Sequence, residues 1–176
     1  MIDPMLTLAL LRHAKSSWND HNLDDFDRPL NDRGRQAAPV MAQMLASLKF
    51  TPQLVLCSPS RRTRETLAMV EPVFAKSPPV IDFEKRLYLA GASDILARLR
   101  LVPAPASAVL VIGHNPGLHA LAAHLAISGD AGQLARLGEK FPTTALAVFS
   151  FPSAAWADIT VQSGHLEAFI TPKDRA

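Results

Sequence analysis

One stretch near the N-terminus decides the fold: Leu6-Thr7-Leu8-Ala9-Leu10-Leu11-Arg12-His13-Ala14-Lys15-Ser16-Ser17-Trp18-Asn19. Its first half is an almost unbroken apolar run with the length of a strand that is buried on both faces. The run ends at Arg12 and His13, and ligands of an α/β sheet bind beyond the carboxyl ends of its strands. Arginine offers a planar set of donors that fits phosphate oxygens, and histidine can act as base, acid, metal ligand or nucleophile. Taken alone, the pair fits a solvated strand end at least as well.

Two further apolar runs end in the same abrupt way. Leu54-Val55-Leu56-Cys57 is followed by Ser58-Pro59-Ser60-Arg61-Arg62, and Ala108-Val109-Leu110-Val111-Ile112 is followed by Gly113-His114-Asn115. If the three strands are parallel neighbours, their polar ends meet in one crevice with helix N-termini pointing into it, which favours phosphate. Several cations without a matching acidic cluster would be costly to bring together unless a dianion lay between them. The spacing therefore predicts an anion site.

The rest of the chain supplies helices and further strands. The patterns predict helices over residues 33–46, 59–74, 93–101 and 118–127. They predict additional strands over residues 80–83, 144–151, 156–161 and 166–170, the last three joined by short connections that imply antiparallel pairing. Ser58 as N-cap, with Pro59 at the first helical position, marks the start of the second helix. We therefore predict an α/β protein, a three-layer α/β/α sandwich with a mostly parallel central sheet and an antiparallel C-terminal extension, in a single domain over residues 1–176.

Composition narrows the class of protein. Of the 176 residues, 48% are hydrophobic and 19% are charged, which excludes a disordered or fibrous chain. The net charge of only +2 and the lack of a basic run predict no nucleic-acid partner. The apolar segments are too short to span a bilayer and Met1-Ile2-Asp3-Pro4 lacks the basic start of a signal peptide, so we expect no membrane attachment. Cys57 is the only cysteine, which excludes an internal disulfide and fits a cytoplasmic protein, whereas the oligomeric state is not indicated.

Four motifs together resemble the histidine phosphatase superfamily. Leu11-Arg12-His13-Ala14-Lys15-Ser16-Ser17-Trp18-Asn19 resembles its opening Arg-His-Gly motif, and Ser58-Pro59-Ser60-Arg61-Arg62-Thr63-Arg64-Glu65-Thr66 resembles its Ser-Pro-x-x-Arg-x-x-x-Thr motif. Ile112-Gly113-His114-Asn115 resembles the second-histidine motif, and Arg28-Pro29-Leu30 with Gly34 and Ala37 resembles an Arg-Pro-Leu-x-x-x-Gly-x-x-Ala segment. The matches run in order from about residue 6 to 127. Leu87-Tyr88-Leu89-Ala90-Gly91 and the short chain are most similar to the SixA-type phosphohistidine phosphatases.

The resemblance implies the roles of four residues. It makes His13 the nucleophile that takes the phosphoryl group, and it makes Arg12, Arg62 and His114 the groups that bind the phosphoryl oxygens. Arg62 matches because it lies four residues after Ser58, as the motif requires. No cofactor or metal is implied, since phosphoryl transfer depends mainly on positioning and charge stabilisation and the chain has no close metal-ligand spacing.

The opening motif departs from the family pattern at two positions. Ala14 stands where the family has glycine, which is tolerable if this residue has a negative φ. Lys15 replaces the usual glutamate and adds a cation that can face an acidic substrate or lie in solvent. Lys15, Ser16 and Asn19 are candidate substrate-binding residues, although Ser16 and Asn19 suit capping nearly as well. Trp18 is expected to be a packing anchor.

The general acid is the open role. Glu84 is the leading candidate because its surroundings resemble the family's Glu-x-Arg segment, and Asp20 and Asp25 in a polar loop are further candidates. The SixA-type branch shows no clear acid, and a phosphoramidate can leave as a neutral imidazole if its nitrogen is protonated.

The leading hypothesis is a metal-independent phosphatase that acts through a covalent phosphohistidine, on a phosphorylated protein (phosphohistidine) or on a small phosphoester. One alternative is a phosphotransferase of the phosphoglycerate mutase type, which must keep water from its phosphoenzyme and usually needs insertions that this short chain lacks. Another is a catalytically inactive module that binds a phosphorylated ligand, which the retention of both histidines and both arginines disfavours.

Overall fold

A computed structural model describes residues 5–174 of the chain. Within them seven strands occur, namely β1 (Leu6–Arg12), β2 (Leu54–Cys57), β3 (Val80–Phe83), β4 (Ala108–Gly113), β5 (Ala126–Gly129), β6 (Leu146–Phe151) and β7 (Gly164–Ile170). The same residues contain five α-helices, α1 (Asp32–Ser47), α2 (Arg61–Val70), α3 (Ala92–Arg100), α4 (Gly117–Leu125) and α5 (Ala131–Glu139). Met1-Ile2-Asp3-Pro4, on which the signal-peptide prediction depends, lies outside the described residues.

The strands in this part of the chain form one sheet in the order β3-β2-β4-β1-β6-β7-β5. Parallel pairs join β1 to β4, β4 to β2 and β2 to β3. Strand β6 runs antiparallel to β1 and to β7, and the short edge strand β5 runs parallel to β7. The predicted sheet, mostly parallel with an antiparallel C-terminal extension, is confirmed.

The central strand β1 has a hydrophobic core on each face. Leu8 and Leu10 belong to the core that contains residues of α3, α4 and α5, whereas Ala9 and Leu11 belong to the core with residues of α1 and α2. Successive side chains of a strand point to opposite faces, so one apolar run contributes to both cores. The helices therefore cover both faces of the sheet, which is the predicted three-layer α/β/α sandwich. No helix in residues 5–174 has the length and apolar character needed to cross a bilayer.

The second helix begins later than predicted. α2 starts at Arg61 with Ser60 in the N-cap position, so the prediction that Ser58 caps this helix is wrong. Ser58 is instead fully buried, and its Oγ lies 2.7 Å from Nε2 of His114. The physical reason is that the Ser58 side chain bonds across the sheet to a neighbouring strand end rather than to its own helix.

The predicted strand over residues 156–161 is also wrong. Trp156–Asp158 forms a 3-10 turn in which Trp156 and Ile159 are buried and the two residues between them are exposed. The Trp156 indole nitrogen donates to the carbonyl of Ala106. Burial at a spacing of three residues suits a turn, whereas a half-buried strand would require alternation.

The predicted apolar helix over residues 118–127 ends at Leu125, because the chain continues as the edge strand β5. Helix α5 follows, and the hydrophobic pattern of the sequence does not predict it. Its N-cap Asp130 accepts a hydrogen bond from the backbone of Gln133, which is a start signal that the sequence contains.

Candidate active site

The carboxyl ends of β1, β4 and β2 lie side by side, as the spacing predicts. The backbone N–H of His13 donates to Gly113 O at 3.1 Å, and that of Ser58 donates to Ile112 O at 3.0 Å. These bonds continue the parallel ladders by one residue beyond the strands. As a result, the polar residues that follow the three strands face a common crevice.

The crevice has a volume of about 250 Å³. Its lining consists of Arg12, His13, Lys15, Ser16, Trp18, Asp25, Arg28, Arg62, Leu89, His114, Asn115 and Thr143. The structure thus brings together the four residues given catalytic roles by the resemblance, along with Lys15 and Ser16. Four arginine or lysine side chains and a single carboxylate make this lining strongly cationic, which suits a dianion.

His13 is held as a neutral imidazole with a defined tautomer. Its Nδ1 lies 2.7 Å from the carbonyl oxygen of Ala14, so Nδ1 carries the proton and donates it. Burial lowers the pKa of His13 to about 4; the Ala14 hydrogen bond opposes this shift, and the positive charges of Arg62 and Arg12 add to it. The lone pair therefore resides on Nε2, the form that a nucleophile requires.

His114 lies against His13, with ring centroids 5.2 Å apart. Its Nδ1 is 3.4 Å from Nη2 of Arg62, which can only donate, so Nε2 carries the proton and donates to Ser58 Oγ at 2.7 Å. Burial lowers the pKa of His114 to about 3, and the adjacent His13 and Arg62 add to the shift. Both imidazoles are thus neutral in the crevice near pH 7.

Arg12 supplies a guanidinium anchored at one end. Its Nη1 donates to Phe141 O at 2.9 Å, while its Nε is buried and has no hydrogen-bond acceptor within residues 5–174. Burial lowers the pKa of Arg12, and the nearby charge of Arg62 adds to this. A buried donor without an acceptor is costly, and an anion in the crevice would offset part of that cost.

Arg62 extends from the first turn of α2 and is only 4% exposed. Its Nη2 donates to Asp25 Oδ2 at 2.9 Å, and its Nη1 donates to Asp25 O at 2.5 Å. Arg61, by contrast, points away and pairs with Glu65 at 2.8 Å. The structure therefore places Arg62, rather than its neighbour, at the crevice.

Asp25 is the carboxylate that lies in the crevice. Its Oδ2 also accepts from the Tyr88 hydroxyl at 2.6 Å, and its Oδ1 accepts from Arg28 at 3.1 Å. Partial burial would raise its pKa, but the hydrogen bonds from Tyr88 and Arg62, with the charges of Arg62 and Arg28, lower it below the ordinary value. Asp25 is therefore ionised near neutral pH.

Glu84 and Asn19 do not line the crevice. The Glu84 carboxylate accepts from the backbone of Arg86, as the N-cap of the 3-10 turn at Lys85–Leu87, and pairs with Arg98 at 3.1 Å. Asn19 is exposed, and its backbone bonds the Ser17 hydroxyl. The structure thus does not bring either of these two residues to the site.

Sequence reasoning assigned no site role to Arg28, Tyr88 or Trp18. Arg28 is buried and donates to Ser16 Oγ at 3.0 Å; it belongs to the Arg-Pro-Leu segment, which is the signal that could have indicated it. Tyr88 bonds Asp25 from a distant segment. Trp18 is 70% exposed with the Arg28 guanidinium stacked over its ring, so the expectation of a packing anchor is wrong.

Residues 5–174 contain no group of three or more histidine, cysteine or acidic side chains arranged to hold a metal ion. The arrangement that they do contain is a neutral imidazole with a free Nε2 among fixed guanidinium groups. Such a site can bind a tetrahedral anion and present a nucleophile to it.

The chain is similar to several known proteins and solved structures. A family model described as "Histidine phosphatase superfamily (branch 1)" matches residues 8–87. The Mycobacterium tuberculosis protein Rv1276c is 36% identical over 165 residues, covering 93% of this chain and 100% of that protein. Among solved structures, the putative phosphohistidine phosphatase SixA from Nakamurella multipartita superposes with a TM-score of 0.81 and 32% identity, covering 96% of both chains. The corresponding Agrobacterium tumefaciens structure gives a TM-score of 0.77 and 29% identity, covering 95% of this chain and 98% of that one.

Proposed function

The chain belongs to the histidine phosphatase superfamily, and from this premise we propose that it hydrolyses phosphohistidine in proteins through a phosphohistidine formed on its own His13. The observation on which the proposal rests is the free Nε2 of a neutral, buried imidazole beside Arg12, Arg62 and His114. The SixA-named neighbours support the same substrate class.

The reaction proceeds in two displacements at phosphorus. The lone pair of His13 Nε2 forms an N–P bond while the bond from phosphorus to the leaving group breaks and its electron pair goes to that group. Water then attacks the phosphorus and the N–P bond breaks, which releases phosphate and returns Nε2 to its starting form. The Nδ1–H bond to Ala14 stabilises the positive charge that the ring carries while it is phosphorylated.

Charge stabilisation comes from groups that are already in position. Arg12 and Arg62 offer guanidinium donors to the equatorial oxygens, and Lys15 lies at the edge of the crevice. His114 is held by Ser58 and contributes a further polar contact. Since the transition state of phosphoryl transfer is loose, fixed positive charge of this kind is the main catalytic contribution.

The state of the crevice carboxylate favours a particular leaving group. Asp25 is ionised, so it cannot donate a proton to an alkoxide, which is a poor leaving group without an acid. The imidazole of phosphohistidine needs no such acid when its other nitrogen is protonated, and an anionic Asp25 stabilises that protonated form. We therefore assign Asp25, rather than Glu84, the role of acting on the leaving group, by holding it protonated.

The compartment that we propose is the cytoplasm. Cys57 is the only cysteine, and it is buried as a free thiol. Chains without disulfides are typical of reducing compartments.

The test is a rapid-quench experiment with a phosphohistidine peptide labelled in the phosphoryl group. We expect an acid-labile label on His13, a burst of released peptide, and a loss of about 10³-fold or more in kcat for His13→Ala. His124→Ala is the matched control, because this exposed histidine lies outside the crevice and its removal should leave the rate unchanged.

Other results would overturn the proposal. A His13→Ala variant as active as the parent would remove His13 from the mechanism. Isomerisation of 3-phosphoglycerate without release of phosphate would assign the chain to the mutase type. Phosphate binding with no turnover on any substrate would identify a binding module.

A further inference from the structure

A second groove, of about 730 Å³, lies next to the catalytic crevice. The two share Thr143, and the short segment 141–144 forms the wall between them. This wall is bonded directly to catalytic residues: Phe141 O accepts from Arg12, and the Thr144 N–H lies 3.1 Å from His13 O. The groove therefore adjoins the site and is built on the same backbone segment.

The groove combines an apolar floor with a cationic rim. Pro142 and Pro172, both partly exposed, supply apolar surface, and Phe169, which is only 3% exposed, also lines the groove. Arg33 and Lys140 on the rim are exposed, and neither makes an ion pair within residues 5–174.

The remaining charges of the rim leave it cationic. Lys173 adds a third cation without an ion pair in the described part of the chain, whereas Glu139 is the one unpaired carboxylate. Arg136 is neutralised by Asp174 and lies over the Phe169 ring. The rim thus carries excess positive charge that nothing in the described chain offsets.

We propose that this groove binds the polypeptide segment that flanks the phosphohistidine of the substrate protein, and that it selects segments with acidic and apolar side chains. The inference rests on the proposed function. The phosphoryl group occupies only the 250 Å³ crevice, so the chain that bears it must leave across the surrounding surface. On the other side of Thr143, the substrate polypeptide would reach the groove, whose volume lies in the usual range for binding sites.

Charge and shape favour a polypeptide over a nucleic acid as the occupant. A nucleic acid carries a regular row of phosphates and is bound by dense arrays of lysine and arginine. Here a few separated cations border an apolar floor, which suits carboxylate side chains around one or two apolar residues.

The first experiment measures binding without catalysis. A fluorescent, unphosphorylated peptide with a central histidine flanked by acidic and apolar residues is titrated with the protein, and the change in anisotropy is followed. We expect the double variant Arg33→Glu/Lys140→Glu to weaken binding about tenfold, because two attractions become repulsions.

Lys76→Glu/Lys85→Glu is the matched control, since it changes the net charge equally at exposed positions outside both cavities and should leave binding unchanged. A peptide with amides in place of its carboxylates should bind parent and double variant equally.

The second experiment compares two phosphorylated substrates. For the phosphohistidine form of the acidic peptide, we expect kcat/KM of the double variant to fall about tenfold through KM, whereas kcat/KM for an aryl phosphate stays unchanged.

Equal binding of the acidic and amide peptides by the parent would overturn the groove proposal, and so would equal loss in the control variant. Tighter binding of a single-stranded oligonucleotide than of the acidic peptide would also overturn it. A parent that hydrolyses neither substrate would contradict the proposed function, while the anisotropy result would still decide the groove.

Discussion

At the scale of single residues, the reactivity of the crevice depends on the backbone around His13. The Ala14 carbonyl fixes the proton on Nδ1, and the Ala14 N–H donates to Thr66 Oγ1 at 2.9 Å. Ala14 does not have a positive φ, so it meets the condition under which an alanine can replace the family's glycine. The motif could identify the histidine, but its tautomer follows from a carbonyl direction that only the folded backbone defines.

Asp25 and Tyr88 show why part of the site was beyond sequence reasoning. Asp25 was one of several acidic residues in a polar loop, and Tyr88 belongs to a segment 63 residues away that bonds it. No local pattern connects two positions so far apart. The residues that follow β1, β2 and β4 could be predicted to meet, because neighbouring parallel strands end at the same edge of the sheet.

The first prediction concerns Asp25→Asn. This change keeps the shape but removes the negative charge that would hold the leaving imidazole protonated, so kcat/KM for a phosphohistidine peptide should fall about tenfold or more. For 4-nitrophenyl phosphate, whose nitrophenolate leaves as a stable anion without protonation, the change should be within about threefold. Inorganic phosphate should inhibit the variant more strongly than the parent, because Arg62 loses a competing anion. Steady-state kinetics on the two substrates are the measurement, and an equal loss on both would mean that Asp25 only positions Arg62.

At the scale of whole elements, apolar runs that end abruptly predict buried strands correctly, whereas the edge strand β5 is not predicted by the sequence pattern. Strands β1, β2 and β4 are buried on both faces, so their sequences are continuous apolar runs with clear ends. The edge strand β5 has Ile127 63% exposed and follows directly on an apolar helix, so the sequence shows one uninterrupted helical pattern. An element that owes its structure to pairing with β7 carries little local signal.

The second prediction concerns the contact between α1 and the opening motif. A Cβ added at Gly34 would lie 2.3 Å from the backbone oxygen of Lys15, which also accepts from the Asn31 N–H. Gly34→Ala must therefore push the start of α1 away from the residues that line the crevice, and we expect a loss of about 1–3 kcal/mol in the free energy of unfolding. Activity should fall with it, because Lys15 and Ser16 move.

Gly138→Ala is the matched control for this substitution. Gly138 lies in α5, and an added Cβ would meet nothing within 4 Å. Alanine there should stabilise the protein by about 0.5–1 kcal/mol through the helix propensity of alanine over glycine. Urea unfolding of both variants measures the contrast, and similar stability changes in the two would show that the close approach to Lys15 does not matter.

At the scale of the whole molecule, the site imposes a cost on folding that depends on pH. His13 and His114 are 7% and 2% exposed, and both are held neutral between guanidinium groups by the packing of three strand ends. In the unfolded chain each would have a pKa of about 6.5. At a pH between the folded and the unfolded pKa values, the folded protein therefore binds fewer protons than the unfolded chain. This difference couples the protonation state of the two imidazoles to the free energy of unfolding.

The third prediction follows from the sign of these shifts. The folded pKa values, about 4 for His13 and about 3 for His114, lie below the unfolded value, so stability is lost as the pH falls through about 6.5 and continues to fall until the folded groups titrate. Between about pH 7 and pH 5.5, above the range where carboxylates titrate, we expect the free energy of unfolding to decrease by about 2–3 kcal/mol, roughly half from each imidazole. Urea unfolding across this range measures the slope, and His13→Asn/His114→Asn should flatten it whatever its own stability at pH 7. If the parent and the double variant lose stability equally, the two imidazoles are not the groups that the native fold keeps unprotonated, and the neutral nucleophile on which the proposed chemistry depends would have to be abandoned.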